Sequence, residues 1–197
     1  MDIILASQSP RRRELLERMG ITRFKTVSPD IDERAFDGLP PEELVRHLSA
    51  EKAGAVADRV DDGAIIIAAD TVVALDGTVL GKPDDDLEAF KMLSTLSGVR
   101  HQVYTGVTVL LGGERFTEHE VTDVTFRELS EQEIEQYVAT GEPMDKAGAY
   151  GIQGYGALLI EGISGDYYNV MGLPVCRLGR MLSRFGIDCL RLAAGQD

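Results

Sequence analysis

A chain of 197 residues that is 44% hydrophobic and 27% charged has the length and make-up of a globular domain, and its formal charge of −13 excludes a general nucleic-acid binder, because duplex binding needs a basic face that displaces counterions. The charge is uneven: residues 1–27 hold six Lys/Arg against three Asp/Glu, so the basic character collects at the N-terminus of an otherwise acidic chain. A small positive pocket in an acidic body suits a small anionic ligand better than a polymer.

Ile3 to Ala6 reads as a buried strand. Ser7-Gln8-Ser9 turns the chain, Ser9 is a natural N-cap, and Pro10 fits the first helical position. Leu15, Leu16 and Met19 form an apolar stripe, and Gly20 ends that helix. Phe24 to Ser28 reads as a second short strand, followed by a loop with Asp30, Asp32 and Glu33. Pro40-Pro41 introduces a helix to about Val60, with Leu44, Val45, Leu48 and Val56 inward. Ile65 to Ala69 is a continuous apolar run, as in a central strand buried on both faces, and it is read as ending at Asp70.

Val72 to Leu75 and Thr78 to Leu80, joined by Asp76-Gly77, read as a hairpin. Asp86 to Leu96 reads as a helix stopped at Gly98, and His101–Leu111 and Phe116–Leu129 as two long strands joined at Gly112-Gly113. Ser130 and Glu133 form a capping box for a helix over 131–140, which Gly141 ends. Residues 145–156 are glycine-rich and irregular, Ala157–Glu161 reads as a strand, and Leu173–Phe185 as the closing helix. Alternating strands and helices with inserted hairpins give an α/β fold with a mixed sheet, in a single domain over 1–197.

Ile3–Ala6 precedes a block of three arginines, the reverse of a signal peptide, and no window is long enough to span a bilayer, so a cytoplasmic protein with no membrane association is expected. Cys176 and Cys189 stand thirteen positions apart, which is no zinc framework, and read as buried free thiols.

Four segments carry chemistry. In Ser7-Gln8-Ser9-Pro10-Arg11-Arg12 a helix N-terminus, two hydroxyls and two guanidinium forks are suited to phosphate oxygens, while Arg13 reads as solvated. In Ala68-Ala69-Asp70-Thr71 a carboxylate at the end of a buried strand sits where α/β sheets place ligands. Asp70 there is a metal ligand, a base for water or a turn cap, and Thr71 beside it meets a base or sugar. In Gly81-Lys82-Pro83 an ammonium neutralises a phosphate if the fold brings it to Asp70, and is otherwise a solvated loop lysine. In Asp145 to Gly154 recurring glycines allow close backbone approach to a ligand, and the Gln153 amide offers the donor and acceptor that reading a pyrimidine edge requires. Glu33 is a hard-oxygen ligand candidate for a divalent cation, Lys52 is a surface lysine by default, and His47, His101 and His119 have no ligand spacing.

Taken together, Ser7–Arg12, Glu51-Lys52-Ala53, Ala68–Val73, Gly81-Lys82-Pro83, Ser97-Gly98 with His101–Gly106, Asp145–Gly148 and Tyr167–Pro174 resemble, in order and over nearly the whole chain, the Maf family of nucleotide pyrophosphatases. The resemblance implies a curved mixed β-sheet in two lobes around a central cleft, similar to inosine triphosphate pyrophosphatases. It implies hydrolysis of a nucleoside triphosphate between its α- and β-phosphates, a divalent cation (Mg²⁺ or Mn²⁺) and a homodimer. By position Asp70 matches the general base. Asp70 and Glu33 are the candidate metal ligands by their hard oxygens. Ser7, Ser9, Arg11, Arg12, Lys52 and Lys82 are the expected phosphate contacts by their chemistry, and Arg12, Thr71 and Gln153 match positions linked to base choice. Ile152-Gln153-Gly154 and Tyr167–Val170 are similar to the branch acting on dTTP and UTP, with modified pyrimidine nucleotides as substrates of a house-cleaning role. The alternatives are 7-methyl-GTP or ITP as substrate, or a non-hydrolytic nucleotide-binding regulator of septum formation. Asp166 departs from the serine common in that branch.

Overall fold

The computed structural model describes residues 2–32 and 38–196. In chain order the elements are β1 (Ile3–Ala6), α1 (Pro10–Arg18), β2 (Lys25–Thr26), α2 (Pro41–Ala57), β3 (Ile65–Leu75), β4 (Thr78–Leu80) and α3 (Asp86–Leu96). They continue with β5 (Arg100–Leu111), β6 (Glu114–Phe126), α4 (Glu131–Val138), three 3-10 turns over 142–145, 147–149 and 155–159, β7 (Ile160–Ser164), α5 (Tyr167–Met171), α6 (Val175–Ser183) and α7 (Cys189–Ala193). The strands form a seven-stranded mixed sheet in the order β2-β1-β3-β5-β6-β7, with β4 on β3. No helix among the described residues is long and apolar enough to cross a membrane.

Two compact units share this sheet. The first comprises Met1–Asp70, Thr105–Glu120 and Gly172–Asp197. Here β1 pairs in parallel with β3, from Ile3 opposite Ile65 to Ala6 opposite Ala68. Parallel strands covered on both faces need apolar residues at every position, which Ile3–Ala6 and Ile65–Ala69 supply. Ile4, Ala6, Ile66 and Ala68 pack with Ala53 and Val56 of α2 in one buried cluster. The helix lies so close to the sheet that a Cβ added at Gly106 would stand 2.0 Å from the Val45 carbonyl oxygen, so only glycine fits there. Cys176 is exposed and Cys189 half-buried, both as free thiols, which corrects the expectation that they are buried.

The second unit comprises Thr71–Tyr104 and Val121–Met171. Its core gathers Leu93 and Leu96 of α3, Val124 and Phe126 of β6, Ile134 and Tyr137 of α4, and Tyr150 and Leu159 from the turns. Asp76 and Gly77 both adopt positive φ (49° and 79°) and close the β3–β4 hairpin as the Asp-Gly pair predicts. The capping box forms, with Ser130 accepting from the Glu133 amide and the Glu133 carboxylate accepting from the Ser130 amide.

Most elements shift by a few residues, β2 for instance being Lys25–Thr26 rather than Phe24–Ser28, and three boundaries differ more. β3 does not end at Asp70 but runs on to Leu75, because Val72–Leu75 continues its apolar run into the hairpin. The last strand is Ile160–Ser164 rather than Ala157–Glu161, because Tyr155–Leu159 winds into a 3-10 turn first. The closing helix is shortened to Val175–Ser183, and a further short helix, Cys189–Ala193, follows it.

Candidate active site

The loop after β1 leads into α1 with its cap in place. The Ser9 hydroxyl accepts from the Arg12 amide, and Pro10 occupies the first turn. The Ser7 hydroxyl, 6% exposed, accepts from the Ser9 amide at 3.1 Å. The Arg12 side chain folds back over this turn, its Nε donating to the Gly172 carbonyl at 2.8 Å and its Nη1 to the Ser7 hydroxyl at 3.4 Å. A hollow of about 300 Å³ opens here, lined by Ser7, Gln8, Ser9, Pro10, Arg13, Thr26 and Ser28. Its walls offer four hydroxyls, an amide and a guanidinium beside the positive end of α1, which is an environment for an anion. Arg13, read as merely solvated, lines this hollow although it remains exposed.

Asp70 belongs to the same unit. Side chains two apart on a strand share a face, so Asp70 continues the face of Ile66 and Ala68 that α2 covers. From α2 the Lys52 ammonium reaches its Oδ1 at 2.5 Å. Both residues are 8% exposed, so Lys52 is a buried partner of a carboxylate rather than a surface lysine. The expected strand end at Asp70 survives in a different form. The parallel pairing with β1 stops at Ala68, so Asp70 lies just past the carboxyl end of the parallel section while its own strand continues.

Of the other candidates, Arg11 is half-buried on α1 in this unit. Glu33 lies outside the described residues. Thr71, Lys82 and Gln153 belong to the second unit. Thr71 is half-buried, and Lys82 is exposed in a segment fixed by a hydrogen bond from the Gly148 amide to the Gly81 carbonyl at 2.9 Å. Gln153 is exposed at the tip of a loop whose two sides are tied down.

That tie is a feature the sequence reading missed. The Glu142 carboxylate accepts from the Tyr155 amide at 2.9 Å, the Gly156 amide at 2.9 Å and the Tyr137 hydroxyl at 2.8 Å. Burial works to raise its pKa, but these hydrogen bonds to the charged form prevail and it ends below the usual glutamate value. The glycines of the segment serve this packing. A Cβ at Gly154 would meet the Glu142 Oε2 at 2.0 Å, one at Gly151 the Lys146 Cε at 2.6 Å, and one at Gly148, whose φ is +67°, the Val73 side chain at 2.8 Å.

His101 is fully buried, its Nε2 2.9 Å from the Tyr150 hydroxyl and its ring edge-on to Phe126. Burial pushes its pKa down to about 4, so it is neutral at pH 7. Asp166 caps α5, its Oδ1 accepting from the Tyr168 amide at 2.8 Å, a task a serine hydroxyl also performs.

Comparison with known proteins adds three findings. A family model described as Maf-like protein matches residues 2–185. A dTTP/UTP pyrophosphatase of Symbiobacterium thermophilum is 54% identical over 98% of this chain and 98% of its own. One of Moorella thermoacetica is 52% identical over 94% and 96%, and one of Clostridioides difficile 49% over 94% and 95%. Among solved structures, a HAM1 protein from Coxiella burnetii covers 93% of this chain and 99% of its own at a TM-score of 0.51 and 16% identity, a likeness of fold.

Proposed function

The chain belongs to the Maf-like family, and from that premise we propose that it hydrolyses dTTP and UTP to the nucleoside monophosphate and pyrophosphate. The observation that carries the reading is the buried Lys52–Asp70 pair on α2 and β3, in the same unit that holds an anion-suited hollow at the N-terminus of α1, whose lining does not include Asp70. A triphosphate needs its charge neutralised and a water activated, and phosphoryl transfer is mainly positioning and charge stabilisation.

Water adds across the α–β anhydride, its proton passes to Asp70, and pyrophosphate leaves. Asp70 is the general base, a role that contributes about 10²–10⁴-fold. Lys52 fixes that carboxylate and adds positive charge beside it. Ser7, Ser9, Arg11, Arg12 and Lys82 bind phosphate oxygens, Thr71 and Gln153 select the base, and Arg12 links the two tasks.

The family implies a divalent cation. Among the described residues no cluster of three or more His, Cys, Asp or Glu side chains is arranged to hold a metal by itself. Mg²⁺ is commonly held by one or two carboxylates together with substrate phosphates and water. One buried aspartate therefore fits a cation that arrives with the triphosphate. Asp70 would hold it, with Glu33 as the second carboxylate, and when bound it would neutralise charge on the phosphate oxygens.

The test is pyrophosphate release from a panel of triphosphates with Mg²⁺ or Mn²⁺ present. dTTP and UTP should rank first, and a methylated pyrimidine analogue should remain a substrate. A lead by 7-methyl-GTP or ITP would overturn the base assignment. No release from any triphosphate would leave the non-hydrolytic regulator of septum formation. Sedimentation of the purified protein tests the proposed homodimer, and a monomer would reject it.

A further inference from the structure

The loop that carries Gln153 has little structure of its own. Residues 151–154 lie between two 3-10 turns, and Gln153 is exposed. An exposed side chain on such a segment cannot discriminate among bases unless something fixes its backbone, because ordering the loop at binding would consume the selectivity. Two side chains provide that fixation.

The Tyr137 hydroxyl accepts from the Gly151 amide at 3.2 Å, at the start of the segment, and donates to the Glu142 Oε1 at 2.8 Å. The same carboxylate accepts from the Tyr155 and Gly156 amides at its end. One phenol and one carboxylate thus hold both sides of the loop, with Gln153 between them. The fit is close. Gly154 has room for no Cβ against Glu142, and a Cβ on Gly156 would meet the Gly151 carbonyl oxygen at 2.5 Å and the Tyr137 hydroxyl at 2.8 Å. Lys146 braces the base of the clamp by donating to the Glu142 carbonyl at 2.8 Å.

The geometry points to Glu142, with Tyr137, as a positioning residue for base selection: it sets where Gln153 stands without touching the nucleotide. This inference rests on Gln153 reading the base, as proposed above. Glu142 has the chemistry such a clamp needs. A carboxylate is acceptor-only, so it serves three donors at once, whereas an amide at that position would turn a donor toward one of the two backbone N–H groups.

The experiment measures kcat/KM for dTTP, UTP and 7-methyl-GTP in the wild type, Glu142→Gln, Gly154→Ala, Gln153→Ala and the Glu142→Gln/Gln153→Ala double variant. Amide hydrogen exchange is followed over 151–156. Gly154→Ala reaches the same clamp by pushing the carboxylate aside, and it serves where Glu142→Gln fails to fold. Glu133→Gln is the control, since it removes the charge that pairs with Arg127 in the same unit.

Glu142→Gln and Gly154→Ala should speed exchange at Tyr155 and Gly156. They should reduce the preference for dTTP over 7-methyl-GTP by about tenfold, the scale of one lost hydrogen bond to a charged group. The double variant should be no less selective than Gln153→Ala alone, and Glu133→Gln should leave the ranking in place. A ranking that moves with Gln153→Ala but not with Glu142→Gln or Gly154→Ala overturns the positioning role and leaves Gln153 as reader. A ranking that moves equally with Glu133→Gln shows general loosening and also overturns it. A ranking untouched by Gln153→Ala removes the base reader itself, and the positioning role falls with it.

Discussion

Replacing Lys52 by Met removes one half of an ion pair whose side chains are only 10% and 11% exposed, and leaves the Asp70 carboxylate against apolar neighbours. At the surface such a loss costs about 0–1 kcal/mol. In a buried pair the abandoned charge retains its desolvation penalty, and the cost is about 3–5 kcal/mol. The 2.5 Å separation and the packing of Ala53 and Ala68 beside the pair put this case in the second class. Urea unfolding of Lys52→Met should therefore lose about 3 kcal/mol, a midpoint shift above about 1 M at the slopes usual for small proteins. The uncharged double variant Lys52→Met/Asp70→Asn should recover part of that loss, because the neutral amide costs less to bury than the unpaired carboxylate. Turnover separates structure from chemistry: Asp70→Asn should lose about 10²–10⁴-fold in kcat while dTTP still binds by calorimetry. A Lys52→Met shift below about 1 kcal/mol would show that water reaches the pair and would refute the argument from burial. Full turnover in Asp70→Asn would remove Asp70 from the mechanism.

His101→Gln tests the buried imidazole. Its folded pKa of about 4 lies below the ordinary 6.5, so as pH falls from 6.5 toward 4 the unfolded chain takes up a proton that the native protein refuses. The wild type should lose about 3 kcal/mol across that window beyond any loss in His101→Gln, measured by urea unfolding at pH 7, 5.5 and 4, and parallel curves would contradict the assignment. Asp166→Ser keeps a hydroxyl cap on α5 and should change thermal stability by less than about 0.5 kcal/mol with kcat/KM for UTP unaltered, whereas Asp166→Ala should cost about 1 kcal/mol. Arg13→Ala should raise KM for dTTP about threefold at low salt and less at high salt, as expected for one exposed charge beside a helix N-terminus; a salt-independent KM would return Arg13 to the solvated surface.

Where local chemistry decides the backbone, the sequence was readable. Ser9-Pro10, Asp76-Gly77 and Ser130 with Glu133 each meet their partners within a few residues, and all three formed as expected. Lys52 is buried where a surface lysine is expected, although the signal is present in the sequence. Val45, Leu48, Ser49, Ala53 and Val56 are all buried on α2, and position 52 stands four residues from both Leu48 and Val56 on that same face. A lysine at such a position requires a carboxylate partner. Glu142 gave no comparable signal, because its partners come from Tyr137, Tyr155 and Gly156 and meet only when the turns are wound.

The glycine-rich segment shows how one composition admits two physical readings. Glycines spaced by three permit a ligand to approach the backbone, and they equally permit a protein side chain to do so. The structure chooses the second, with Val73, Lys146 and Glu142 in the places where Cβ atoms would stand at Gly148, Gly151 and Gly154. The one residue of the tip that is neither glycine nor apolar is Gln153, the proposed reader of the base, with the amides on both sides of it held by Tyr137 and Glu142. The same logic governs Asp70. Ala68 and Val72, which share its face of β3, are apolar and buried, so a charge is tolerated there only with Lys52 opposite it. At Asp70 a charge in an apolar stretch is retained at a cost to stability and is fixed by a partner distant in sequence, an arrangement that serves the proposed chemistry rather than the fold alone.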